Sequence, residues 1–103
     1  MKYVISYTLR LNGSAAENEA AAKRLLELYS KWTPQASMTF HQMVGRVDGN
    51  GGFAVVETDN PMDLLDATSK FGAVMEYQIH PVVDVADSVR VAQEGVEFRE
   101  SIS

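Results

Sequence analysis

The 103-residue chain has no cysteine. That excludes disulfides, thiol nucleophiles, thiolate zinc sites and iron–sulfur clusters together, and it fits a reducing compartment. Histidine is scarce, with two residues, and tryptophan occurs once. No apolar run approaches the roughly 20 residues that a membrane-spanning helix needs. At the N-terminus Lys2 leads into an alternating pattern rather than into a signal peptide. A soluble, cytoplasmic protein with no membrane partner is therefore expected. Basic residues are also in the minority: 9 Lys and Arg stand against 14 Asp and Glu, for a net charge of −5. The cations are scattered along the chain, so no basic patch offsets repulsion from a phosphate backbone. Nucleic acid is not an expected partner.

What remains is ordinary globular material, 46% hydrophobic and 22% charged, which rules out disordered and fibrous classes. The length fits one domain, residues 1–103. A domain this small buries a real core with little surplus stability, so a homodimer is the expected state of assembly.

Periodicity orders the chain. Tyr3, Ile5, Tyr7 and Leu9 alternate with Lys2, Ser6, Thr8 and Arg10, which predicts a strand from Lys2 to Leu11, broken by Asn12-Gly13. Ser14 with Glu17 has capping-box spacing. The helix that follows, to Trp32, carries Ala21, Leu25, Leu28 and Trp32 on one stripe, with Ala22 and Tyr29 beside it. Thr33-Pro34 stops it. Strands are predicted over Met38–Val47 and Gly52–Thr58, joined by Asp48-Gly49-Asn50-Gly51-Gly52, residues that accept tight turns. Asp59 or Asn60 caps a second helix with Pro61 in its first turn, and Gly72 ends it. Val74–Val83 is a fourth strand, whose Pro81 marks an edge or an end. Asp84 or Asp87 caps a last helix bearing Val85, Val89, Ala92 and Val96, which frays from Ser101 onward. The order βαββαβ plus a C-terminal helix is the ferredoxin-like α+β arrangement, a four-stranded antiparallel sheet with helices on one face.

The hairpin from Phe40 to Thr58 carries four of the more chemically capable side chains: His41, Gln42, Arg46 and Glu57. A loop of even length, pairing Val47 or Gly49 with Gly52, puts His41, Met43, Ala54 and Val56 on one face. Phe40, Gln42, Val44, Arg46, Phe53, Val55 and Glu57 then share the other. An odd loop places His41 with Glu57. The even case is preferred, because it gives both faces coherent neighbours, such as Gln42 near Glu57.

His41 is the candidate catalytic residue, as a general base or an orienting donor. Its bland alternative, a half-buried strand histidine bonded to a hydroxyl or carbonyl, is the commoner role. His80, before Pro81, reads as a solvated strand end. Two histidines without a carboxylate at fixed spacing do not make a metal site, so no metal and no cofactor are expected; haem or metal binding through His41 or His80 ranks last. Arg46 and Glu57 are candidate polar anchors for a ligand, or else a cross-strand ion pair or dimer contact. Tyr7, Trp32 and Tyr77 are the candidate pocket wall within a larger aromatic and methionine set that includes Tyr3, Tyr29, Phe40, Phe53, Phe71, Met38, Met43 and Met75, residues that in most proteins are simply core. The glycines at 49, 51 and 52 lie between two strands, with no Lys-Ser/Thr after them, and are not a phosphate loop.

Met1-Lys2-Tyr3-Val4-Ile5-Ser6, Lys31-Trp32-Thr33-Pro34, Phe40-His41-Gln42 and the block from Val44 to Thr58 resemble the bacterial family catalogued as domain of unknown function 3303. The resemblance runs over nearly the whole chain. It implies a ferredoxin-like domain of the dimeric α/β-barrel type and no established reaction. The chain departs from the family pattern around Val74-Met75-Glu76-Tyr77, where bulkier or aromatic residues are expected, and at Leu9–Asn12; both departures would change the size of a pocket.

The expectation is thus a small dimeric domain that binds a small apolar or aromatic molecule between sheet and helices, with a cofactor-independent enzyme as its catalytic version. The alternative is a non-catalytic module assembled through its sheet face or C-terminal helix.

Overall fold

The structure, a computed structural model, describes residues 1–11 and 13–102. Asn12, expected to break the first strand, and Ser103, in the expected frayed end, lie outside the described residues. The elements are β1 (Lys2–Leu9), α1 (Ala15–Lys31), β2 (Thr39–Gly45), β3 (Gly51–Glu57), α2 (Met62–Phe71), β4 (Met75–Val82) and α3 (Val85–Ser101). All strand pairs are antiparallel and the sheet order is β2-β3-β1-β4. This is the ferredoxin-like α+β fold. β1, β2 and β4 are shorter than their patterns suggested, β3 keeps its expected length but begins and ends one residue earlier, and α3 runs through Ser101 rather than fraying there.

Local chemistry sets the ends. Ser14 Oγ accepts the Glu17 N–H at 3.2 Å and starts α1; Trp32 closes it in an extended conformation, donating its own N–H to Tyr29 O. Asn60 Oδ1 accepts the Met62 N–H at 3.1 Å just ahead of α2, but the N-cap position is Pro61, not Asp59 or Asn60, and the helix begins after it at Met62. Pro81 lies on β4, an edge strand, where its missing N–H costs no ladder bond. Asp84 is the N-cap residue of α3, but its carboxylate makes no cap bond. It takes Lys2 Nζ instead, at 2.9 Å.

One face of the sheet carries Tyr3, Ile5, Tyr7 and Leu9 in register with Val56, Ala54 and Gly52 on β3 and with Pro81, Ile79, Tyr77 and Met75 on β4. The core lies there: Ile5, Met38, Ala54, Val56 and Leu64 form one cluster, and Phe71, Val74 and Met75 another. Trp32, from the inner stripe of α1, packs against both. A polar knot ties the layers at one end. Asp63 Oδ2 accepts from the Ser37 and Thr58 hydroxyls, each at 2.6 Å, which joins the α1–β2 connection, the end of β3 and the first turn of α2. Asp63 and Thr58 are buried, and buried polar groups persist only when bonded this way.

α3 stands apart. Every residue in it except Gly95 is exposed. The domain measures 63 × 31 × 20 Å, with a radius of gyration of 18.3 Å, against about 13 Å for a compact chain of this length. The helix is an arm rather than a cover. Among the described residues no helix is long and apolar enough to cross a membrane.

Candidate functional site

The hairpin departs from both parities weighed for it. Near the turn its pairing is the even one: Gly45 faces Gly52, Met43 faces Ala54 and Gln42 faces Val55. Arg46 N–H closes the turn on Gly51 O at 2.7 Å, and Gly49, at φ 77°, takes the left-handed position. Asp48 Oδ1 accepts the Asn50 N–H at 2.9 Å; that bond, and the Arg46 guanidinium beside it, hold the Asp48 carboxyl below its ordinary range. Farther along β2 the register slips by one between Phe40 and Gln42, so Phe40 faces Val56 and Thr39 faces Glu57. His41 is the extra residue of this β-bulge.

The bulge redistributes the side chains. Phe40 moves to the helix face and packs on the core, not beside Val44 as the even register alone required. His41 moves to the open face, where its Nε2 meets Glu57 Oε1 at 2.7 Å. The preferred expectation that these two lie on different faces is therefore overturned; Gln42 stays on the same face as Glu57 but opposite Val55, and His41 makes the bond to Glu57. Arg46 does not pair with Glu57; its partner is Asp48 in the turn.

The helix face holds a cavity of about 300 Å³ between the sheet and α1–α2. Ile5, Ala54, Met38, Phe71 and Met75 form its buried wall. Leu26, Tyr29 and Met43 also line it and are exposed, which places its mouth between α1 and the edge strand β2. Tyr29 OH reaches Met43 Sδ at 3.4 Å across that mouth. Of the expected site residues, Tyr7, Trp32 and Tyr77 line the cavity; His41, Arg46 and Glu57 do not. Of the wider aromatic set, Tyr3 and Phe53 do not line it either; Phe53 is exposed on the opposite face.

The cavity's floor depends on Gly52. Gly45 and Gly52 are paired across β2 and β3. A methyl group on Gly52 would collide with the Tyr7 hydroxyl and with Val44 O. Glycine there lets the Tyr7 ring lie across β3 and donate its OH to Val44 O at 3.3 Å. The ceiling is aromatic: Trp32 meets Phe71 edge-on at 5.2 Å and Phe40 at 6.0 Å, and Tyr29 lies within 6.3 Å of Trp32.

No Asp, Glu, His, Lys or Arg among the described residues lines this space. The lining side chains with polar atoms are Tyr7, Tyr29, Tyr77 and Trp32. Burial pushes the Tyr77 phenol up to about 12, and burial likewise raises that of Tyr7. Both are neutral over the physiological range, as donors or acceptors of hydrogen bonds. Trp32 Nε1 is buried without a partner.

The open face has another character. Its rows run Thr39–Glu57–Lys2–Val82, Gln42–Val55–Val4–His80 and Val44–Phe53–Ser6–Gln78, and then Thr8 with Glu76. His41 is on one edge strand and His80 on the other, with β3 and β1 between. Three strand spacings separate them by about 14 Å, too far to share one ion. Among the described residues no group of three or more His, Asp or Glu is placed to hold a metal.

Sequence reasoning missed Asp63 and the bulge. Only the second left a mark: Phe40 and Met43 are both apolar, with two polar residues between, which breaks strict alternation.

A comparison with protein-family models matches residues 1–96 to the family described as Domain of unknown function (DUF3303). No curated protein matches the chain. The match takes in nearly the whole sequence, and the chain belongs to that family.

Proposed function

We propose that the protein binds a small, uncharged, largely apolar or aromatic molecule in the cavity between the sheet and α1–α2. The observation that carries this reading is an aromatic- and methionine-walled cavity of about 300 Å³, within the size range of ligand sites. Close-packed interiors hold few voids larger than a water molecule. The contact between Tyr29 and Met43 is a single weak bond between exposed side chains, and side-chain motion at such a rim is fast, so it admits a ligand. The function is binding rather than proton transfer: His41, His80 and Glu57 are on the other face, and the cavity keeps neutral phenols. Melting temperature measured against rising naphthalene tests this. A concentration-dependent increase is expected, with none for benzoate, whose charge has no partner in the cavity. No increase up to the solubility of naphthalene would sink the reading.

A second reading, compatible with the first, is assembly as a homodimer through the open face and α3. Val44, Phe53 and Val85 to Ile102 leave exposed apolar surface. In α3, Val85, Val89, Ala92 and Val96 form one apolar stripe and Val91 and Phe98 a second, about a third of a turn away. A 17-residue helix with β-branched residues and a central glycine has little stability alone. A second copy supplies both missing covers by one two-fold operation. Light scattering after size exclusion is expected to give twice the chain mass; a monomer at micromolar concentration refutes it.

A further inference from the structure

We infer that the cavity's ligand is a flat aromatic ring system, and that Gly45 selects it by leaving bare backbone for the ring to lie on; this rests on the binding reading above and gives that ligand its shape.

Three glycines sit within the strands, Gly45 in β2 and Gly51 and Gly52 in β3. Glycine weakens a strand interior, and where it stays it marks a bulge, a turn, or a close approach of backbone or ligand. Gly51 and Gly52 have visible reasons. A Cβ on Gly51 would strike Tyr7 O, and one on Gly52 would strike the Tyr7 hydroxyl and Val44 O. Gly45 has neither reason. Its φ is not positive, and a Cβ there would meet nothing within 4 Å. Neither the backbone nor a neighbour calls for glycine at this position.

That open space belongs to the cavity. Gly45 lines it, and its register with Gly52, itself opposite Tyr7, puts it on the helix-facing side. Along this row the phenol end of Tyr7 already lies over Gly52 and bonds to Val44 O at 3.3 Å. Aromatic cover of a bare strand glycine is thus built once into the fold. One strand farther out, on the edge strand β2, Gly45 is exposed and has no such cover. A ring seated in the cavity with its face on the Gly45 backbone repeats the arrangement. A flat ring brings all its carbons to the optimal distance of about 3.5 to 4 Å; a puckered saturated ring does not. Tyr29 and Met43, also exposed in the lining, add aromatic and sulfur contacts that favour a π system.

Gly45→Val puts a branched side chain into that space. Valine suits a strand and narrows the unfolded ensemble, so the variant is expected to melt at or above the temperature of the parent. Its affinity for naphthalene, read from the ligand-dependent rise in melting temperature, is expected to fall about tenfold. Decalin has the carbon skeleton of naphthalene in puckered form, and the parent is expected to bind it about tenfold more weakly. In the isotope-labelled parent, naphthalene should move the Gly45 α-proton resonances upfield through the ring current above its face. An unchanged naphthalene affinity in the variant, unmoved Gly45 resonances with naphthalene bound, or decalin binding as tightly as naphthalene overturns the role of Gly45 and leaves the binding reading standing. A variant that melts well below the parent, or does not fold, overturns it too, because the fold itself would then need that space. Failure of naphthalene to bind the parent overturns both.

Discussion

On the helix-covered face Tyr7, Ala54, Met43 and Tyr77 border a cavity with no charged side chain. The open face of the same strands carries Lys2, His41, Glu57, Glu76 and His80. The chemistry most conspicuous in the sequence is on the face without an enclosure. The enclosure has only neutral groups. Solvation explains the division: a charge under α1 would have to shed its water with no partner in reach, whereas the ion pairs outside keep theirs. The two faces divide the functional readings as well, ligand binding inside and assembly outside.

The harshest way to break this comparison uses neighbouring residues. Val56 is fully buried and Val55 half-buried on the opposite face. Val56→Asp is expected to cost about 4 kcal/mol or more and leave little folded protein. Val55→Asp is expected to cost within about 1 kcal/mol in the isolated chain and to dissociate the dimer, if the open face is its interface. Thermal melts and light scattering on the pair test both halves. Equal losses would mean that the open face is as buried as the core.

The buried carboxylate comes next. Asp63→Ala leaves the Ser37 and Thr58 hydroxyls without their shared acceptor, and about 2 to 3 kcal/mol should be lost in denaturant unfolding. A loss below about 0.5 kcal/mol would show the knot to be solvated. Nothing in the sequence marks Asp63: it sits in a first helical turn, where acidic residues are usual and exposed. Its burial follows from the α1–β2 connection folding over it, a tertiary event. The strands, helices and their order were legible, because periodicity and turn chemistry are local. The helix-facing stripe Ala21, Leu25, Leu28 and Trp32 was legible for the same reason, and with it three cavity residues, Tyr7, Trp32 and Tyr77. The pairing of His41 with Glu57 was not, because a one-residue bulge reverses the faces of everything beyond it. The detachment of α3 was not legible either, since an amphipathic pattern does not say which molecule receives it.

Gly52→Ala sharpens the comparison at the cavity floor. The added methyl group drives the Tyr7 ring off Val44 O, at an expected cost of about 1 to 3 kcal/mol. The naphthalene response should shrink with it. A variant as stable and as responsive as the parent would mean that Tyr7 does not form that floor.

His41→Ala probes the other face. Its bond to Glu57 is between side chains 42% and 46% exposed, and pairs of that kind contribute under about 1 kcal/mol. The melting temperature should fall slightly and ligand affinity should stay within about twofold. Loss of binding would show that the two faces communicate and would restore His41 to the site.

The smallest effect on stability at neutral pH, and the finest gauge of dryness in the cavity, comes from Tyr77→Phe. Its hydroxyl makes only the long contact to Met75 Sδ, so the change should cost well under about 1 kcal/mol. The difference in phenolate absorbance between parent and variant isolates one of the four tyrosines. Its midpoint is expected near 12, where burial holds it, instead of near the ordinary value of about 10. Because the folded-state value is the raised one, the stabilisation this implies is fully present below pH about 10. It is lost as pH climbs toward 12, since the unfolded chain releases the proton first. Ligand in the cavity excludes water further and should move the midpoint higher still. A midpoint near 10 without ligand would mean that water already wets the wall, and the contrast between a dry face and a wet one would fail at the residue where it is easiest to measure.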